Sequence, residues 1–499
     1  MVTFIAKNKH YILDFLQIGL FFLLGLKIAK VEIVVSILLF LLISVRFILQ
    51  NNTLSIKEIG KKELIDLVAL ASFMISVVLF KTIFDGASSI FENAFHFIFL
   101  IVVFFVSSRV TETKYGFDGL SPLIAYFVGS FLFISLTSGV TFADFGIKSN
   151  VRLYIDCWAR EYISCTLASL YLLPLTVLFV FAFVYFLNKK QYLISLLSLL
   201  PVALSLYVSY RFGNRGYFVA LFIACFIICI FTNLELDSKK HKKYDLLLYV
   251  PLALVSLTCI FLIIAFLNVF GVGDILKNNP FFERILTRGS DESRKQIYVD
   301  FFTNFWKYPF GGMIQSEAIG SGRYVHNAFL DMYGNAGIIP LIFFVYFFVR
   351  FVISVYVKKI YKGQIIKFLV INSFLVSIFA ISLFEPVFDA NGYYFASMFG
   401  IFSIVSRDNP VNYHKKPVEA KCKEEKNEEP VAEVKKEAKS KPTTKQVSAP
   451  KKIKETKPIA KKKSAITKTQ NKATVKKTTA KPTAVKKTPK IKNGSKTTN

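Results

Sequence analysis

The sequence predicts an all-α integral membrane protein of about 12 transmembrane helices with one large, partly helical outer-face loop. Three observations carry this. Of the 499 residues 54% are hydrophobic and 16% aromatic, with 53 Phe, and the mean hydropathy is +0.48, outside the usage of soluble globular domains. Apolar runs close to the roughly 17–25 residues that cross a bilayer recur up to residue 406. Basic residues, finally, gather in alternate connections between those runs.

Taken in order, the runs lie near 11–27, 31–49, 63–83, 90–107, 119–137, 163–187, 191–209, 216–233, 245–270, 327–357, 365–384 and 391–406. The first, "YILDFLQIGLFFLLGL", holds Asp14 and Gln17 and lacks a small-residue cleavage pattern, so it predicts a span rather than a cleaved signal peptide. Lys7 and Lys9, Lys57 with Lys61 and Lys62, Arg109 with Lys114, Lys189 with Lys190, "KKHKK" (239–243) and "KKIYK" (358–362) fall in alternate connections. Short basic loops favour the cytoplasm, so all six lie there, with both termini. Residues 1–270 then hold nine spans, 271–326 the outer loop, 327–406 three further spans and 407–499 a basic tail.

Of the net charge of +29, the residues from Arg407 onward carry +19, with 28 Lys/Arg against 9 Asp/Glu. The tail is low-complexity Lys, Thr, Ala and Pro, a composition that cannot bury enough apolar area to fold, and it predicts disorder. Anionic membrane lipids are one partner for it; a solvated tail without a specific role is the plainer reading. A nucleic-acid role is disfavoured, because a tail tethered at the membrane rarely needs one. Among the cysteines, Cys225 and Cys229 in "CFIIC" lack the His or further thiols of a zinc site. Cys157 and Cys165 either pair or remain free thiols.

Four outer segments share one membrane boundary: "YRFGNRGYF" with Arg211 and Arg215; "RILTRGSDESRKQIYVDFFTNFWKYPFGG" with Arg284, Arg288 and Arg294; "RYVHN" with Arg323 and His326; and "LFEPVFDANG" with Glu385 and Asp389. Residues 271–326 carry seven basic residues against six acidic ones, and basic residues on that face run against the orientation bias. Guanidinium groups suit a ligand with two adjacent phosphates, because the fork stays charged and binds phosphate oxygens bidentately. His326 suits a general base, the common task of an imidazole, with Glu385 and Asp389 as competitors. The outer segments show neither an Asp-x-Asp pair nor clustered carboxylates, so no metal or other cofactor is expected. Blander readings stand beside these. Arg215 could anchor the chain at the head groups, the loop cations could form solvated ion pairs with Glu283, Asp291, Glu292 and Asp300, and a His at a helix start is often only a cap. His96, in "FENAFHFIF", is assigned no role. "TRGSDESRKQIYVDFF" predicts an amphipathic helix, capped by Ser290 or Asp291, that lies on the membrane and covers the site.

In this order, "NRGYFVAL" opening a span, "SRKQIYVDFFTNFWKYPFGG" in a large outer loop and "HNAFLDMYGNAGIIPL" leading into the next span, the chain resembles the O-antigen ligase/polymerase family of bacterial membrane glycosyltransferases over most of residues 1–406. The resemblance implies a polyprenyl-diphosphate-linked oligosaccharide as donor, its diphosphate bound by Arg215 and Arg294, with His326 as the essential histidine. It implies a metal-independent, inverting transfer to a sugar hydroxyl at the outer face of the bacterial cytoplasmic (inner) membrane, and a chain-length-regulating co-polymerase as a partner. Arg211, Arg288, Arg323 and Glu385 match no motif position and enter only as candidate substrate-binding groups through charge and side. "HNAFLDMYGNAGIIP" is closer to the polysaccharide polymerases of O-antigen or capsule; the alternative is a ligase that moves the chain to the lipid A core. The Lys-rich tail departs from the family pattern. A flippase or other transporter of lipid-linked sugars is the rival from another class, against which stands the collection of ionisable residues at one face and the short "NKKQ" after the sixth run.

Overall fold

The predicted apolar runs turn into helices because a long uncharged stretch in lipid must satisfy its backbone polar groups internally. A computed structural model describes residues 2–28, 31–49, 61–110, 119–145, 153–212, 214–235, 292–319, 325–385, 387–390 and 392–408, with Tyr249 and Ala253 singly. Among these, eight helices are long and apolar enough to span a membrane: Lys62–Asp85, Ala87–Arg109, Leu120–Asp144, Leu170–Asn188, Tyr192–Arg211, Arg215–Thr232, Ile338–Val357 and Ile365–Ser382. The chain is thus a multi-pass membrane protein. A shorter apolar helix occupies Tyr11–Leu26, and Glu32–Leu49 and Gly392–Arg407 are helical too. Apart from Tyr249 and Ala253 the run at 245–270 lies outside the described residues, as does the basic tail after Asp408.

Packing separates the helices by depth in the bundle. Ile365–Ser382 is buried over most of its length, whereas Lys62–Asp85 buries Phe73 and Val77 and leaves Ile75, Leu79 and Ile83 exposed. Phenylalanine fills the centre: Phe73 lies 5.1 Å from Phe399, and Phe344 5.5 Å from Phe395. Dispersion between close-packed rings is the available attraction where lipid is as apolar as the partner helix. Val2–Leu26 crosses Leu120–Phe145 where Gly25 faces the Tyr126 carbonyl and Gly129 the Phe22 carbonyl, the backbone approach that small residues permit.

Three features depart from the apolar-run reading. The run at 119–137 continues as helix to Phe145, because Ser138 and Thr141 donate to the carbonyls of Ile134 and Thr137 and so hide their hydroxyls. The connection beyond it holds a two-stranded antiparallel hairpin, Leu153–Ile155 with Tyr162–Ser164. Its turn is held by Asp156 Oδ1, which accepts from the amides of Trp158 and Ala159 at 2.7 and 3.0 Å. The run at 327–357 is two helices, Ala328–Ala336 and Ile338–Val352, divided at Gly337 with φ of 84°. A Cβ at that glycine would collide with the Phe310 and Pro309 backbone, and the Ile338 amide donates to Pro309 O at 2.8 Å.

Glu292–Asn304 forms the expected loop helix; Ser290 and Asp291 lie outside the described residues. Its Ile297 and Phe301 make a small second core with Met313, Ile314, Val325 and Tyr333. This core leans on the end of Lys61–Asp85, where Gln315 donates to Asp85 Oδ1 at 2.8 Å. At the opposite end of the same helix, Asp66 accepts from Arg350 Nε at 3.2 Å, Tyr346 at 2.6 Å and Ser406 at 2.9 Å. Glu63 pairs there with Arg109, and Asp408 with Lys367 at 2.7 Å.

Candidate functional site

The site begins at a helix start. Asn214 precedes Arg215–Glu235 and its Oδ1 accepts from the Tyr217 amide at 3.3 Å, the capping role for which Asn is suited. Tyr217, fully buried, donates to Thr176 Oγ1 at 2.9 Å and fixes this first turn against the neighbouring helix. Arg215, half-buried, is thereby the first helical residue at one end of a span. The next residue has no side chain, and a Cβ on Gly216 would stand 3.1 Å from Glu385 Oε1. The glycine therefore lets a carboxylate approach the positive end of the helix, where negative charge is favoured.

Glu385, only 8% exposed, follows the span Ile365–Ser382. Its other oxygen, Oε2, lies 3.9 Å from His326 Nδ1, an ion-pair separation too long for a hydrogen bond. Nδ1 is buried and accepts or donates no hydrogen bond among the described residues. His326 also has φ of 59°. A left-handed non-glycine residue costs on the order of 1–3 kcal/mol and persists only where its surroundings over-determine it.

What over-determines it is Asp331, a residue absent from the candidates read in the sequence. This fully buried carboxylate accepts from the amide before His326, Val325 N at 2.8 Å, and from the amide after it, Asn327 N at 3.3 Å. Asn327 caps Ala328–Ala336, its Oδ1 accepting from the amides of Phe329 and Leu330, and donates to Leu383 O at 3.4 Å, two residues from Glu385. The signal in the sequence was the spacing Asn-x-x-x-Asp, an Asx cap followed by an acid in the first helical turn.

Arg211 ends Tyr192–Arg211, one short turn before Arg215. Its guanidinium lies over the Phe142 ring at 5.8 Å, and Nε and Nη2 are buried without a hydrogen-bond partner among the described residues. Buried donors in that state are uncommon, because each forfeits its hydration.

Glu385 and His326, expected from separate outer segments, are thus brought together, and Glu385 also lies beside Gly216, the residue after Arg215. Arg294 lies in Glu292–Asn304, whose core includes Val325 beside His326. Asp389 lies in the short helix Val387–Ala390, and His96 packs against the position of Gly392. Arg284, Arg288 and Arg323 lie outside the described residues. No group of three His, Cys, Asp or Glu gathers in metal-holding geometry among the described residues. Cys157 is a free thiol, and burial pushes its pKa up. No protein-family model matches this chain, and a search of curated proteins finds no relative.

Proposed function

We propose that the chain is a membrane glycosyltransferase of the O-antigen ligase/polymerase type. It acts as a polysaccharide polymerase on polyprenyl-diphosphate-linked oligosaccharide repeat units. In this reading twelve spans keep both termini in the cytoplasm, and the site opens to the outer face of the bacterial inner membrane. The observation that carries the proposal is the approach of His326 Nδ1 to Glu385 at 3.9 Å, beside the helix that Arg215 opens. An imidazole with one nitrogen turned to a buried carboxylate presents the other to a substrate.

The chemistry follows from those groups. Nε2 of His326 takes the proton from an acceptor sugar hydroxyl as its oxygen bonds to the donor's anomeric carbon with inversion. The bond from that carbon to the diphosphate breaks on the opposite face. Glu385 orients the imidazole and offsets the positive charge it gains. The departing polyprenyl diphosphate carries the developing negative charge, which Arg215, Arg294 and the positive end of Arg215–Glu235 neutralise. Arg211, with open donors, suits a further phosphate oxygen. No step in this scheme requires a metal.

Cells lacking the gene test the proposal when complemented with wild type or His326→Ala, with membrane levels matched and polysaccharide resolved on a gel. Wild type restores the long-chain ladder and His326→Ala leaves single repeat units on the lipid A core. Bare core with accumulated lipid-linked polymer in the variant assigns the ligase instead. A normal ladder with His326→Ala removes the transferase reading and favours transport.

A further inference from the structure

The loop helix Glu292–Asn304 and the turn that follows carry two opposed apolar stripes. Ile297 and Phe301 face the small core. Val299, Phe302, Trp306 and Phe310 recur every three or four residues on the other side, and all are exposed, Phe302 to 59% and Trp306 to 85%. Exposed Lys295 and Lys307 flank them. A contiguous aromatic stripe left open to water is unusual on a folded surface and marks an interaction site.

The neighbouring span identifies what it meets. Phe310 stacks on Phe80 at 5.7 Å, and Phe80 belongs to Lys62–Asp85, whose exposed Ile75, Leu79 and Ile83 face the surroundings of a membrane-crossing helix. The stripe therefore continues the lipid-facing surface of a span around its end and onto the loop helix. Trp is the residue of the membrane–water interface, with its ring at head-group depth. A helix with an apolar face edged by Lys is the composition that lies in that plane.

We infer that the loop helix is seated in the bilayer interface, with Val299, Phe302, Trp306 and Phe310 at the head-group and acyl boundary and Lys295 and Lys307 directed to lipid phosphates. The opposite side of the same helix packs, through Phe301 and Ile297, in the core that contains Val325, next to His326. Seating this helix sets the height of His326 against the membrane surface. The inference goes beyond the catalytic proposal and stands without it.

The chain has two tryptophans, Trp158 and Trp306, so Trp158→Phe leaves Trp306 as the lone reporter. The full-length variant is reconstituted in phosphatidylcholine–phosphatidylglycerol vesicles, with or without bromine on the upper acyl chain, and titrated with aqueous iodide. The expected result is a loss of roughly half or more of the Trp306 emission in brominated vesicles, with weak iodide quenching, as for a ring at the interface. Strong iodide quenching with no bromine effect would place the stripe in water and overturn the inference. Insensitivity to both would overturn it as well, because another segment of the chain would then cover the ring. Trp158 Nε1 donates to Leu26 O at 3.0 Å, so where its removal lowers folded yield, the wild-type signal minus that of Trp306→Phe gives the same reading.

Discussion

The Asp66 cluster and the His326 site hold charge in different ways. In the first, Asp66 is enclosed by Arg350, Tyr346 and Ser406, Glu63 pairs with Arg109, and Asp408 with Lys367. In the second, Glu385 stands 3.9 Å from His326 Nδ1, beyond hydrogen-bond reach, and Nδ1 has no hydrogen-bond partner among the described residues. Enclosed charges hold helices in register, and their partners come from within the fold. The left-handed His326 backbone is held by the Asp331 carboxylate, which accepts from the amides on either side of it.

Substitutions in the two clusters sharpen this contrast, because under the proposed function stability and transfer should move independently. His326→Ala is then the largest change: it should lower transfer by roughly 10²–10⁴-fold, the usual contribution of a general base. Asp66→Ala is next in size. It strands a partly buried Arg350 and should cost about 3 kcal/mol in unfolding measured in detergent, with transfer per folded molecule retained. Arg215→Lys keeps the charge and loses the fork, so transfer should fall roughly 10-fold or more, the loss of one or two charged hydrogen bonds, while insertion and expression remain normal. Gly216→Ala is smaller. The added methyl stands 3.1 Å from Glu385 Oε1 and should reduce transfer a few-fold without lowering helix stability, since Ala is the better helix former by about 1 kcal/mol. The least effect concerns Cys157. Its raised thiol pKa leaves less thiolate at neutral pH, so alkylation should be slower than for a free thiol and should rise with pH over a more alkaline range.

Much of the bundle was legible because apolar length is a local property: the runs at 63–83, 90–107, 163–187, 191–209 and 365–384 each fall on a helix long enough to span. The break at Gly337 was not, because it depends on Phe310 and Pro309, distant residues whose backbone occupies the space of a side chain. The hairpin at 153–164 escaped for a related reason, its register resting on the Asp156 turn rather than on an alternating pattern. Arg215, His326 and Glu385 could be assigned to one face from the alternation of basic loops. The approach of Glu385 to His326 and to Gly216, and the support of the His326 backbone by Asp331, are tertiary facts that spacing does not encode.

The most direct measurement of the central claim uses purified protein in vesicles with a synthetic polyprenyl-diphosphate-linked repeat unit, following polymer formation and polyprenyl diphosphate release in wild type and His326→Asn. Asparagine tolerates the left-handed conformation, so the Asp331 clamp and the fold are retained. The account predicts polymer and stoichiometric diphosphate release by wild type, and loss of both in a His326→Asn protein of unchanged stability. Equal turnover by the two proteins would contradict it.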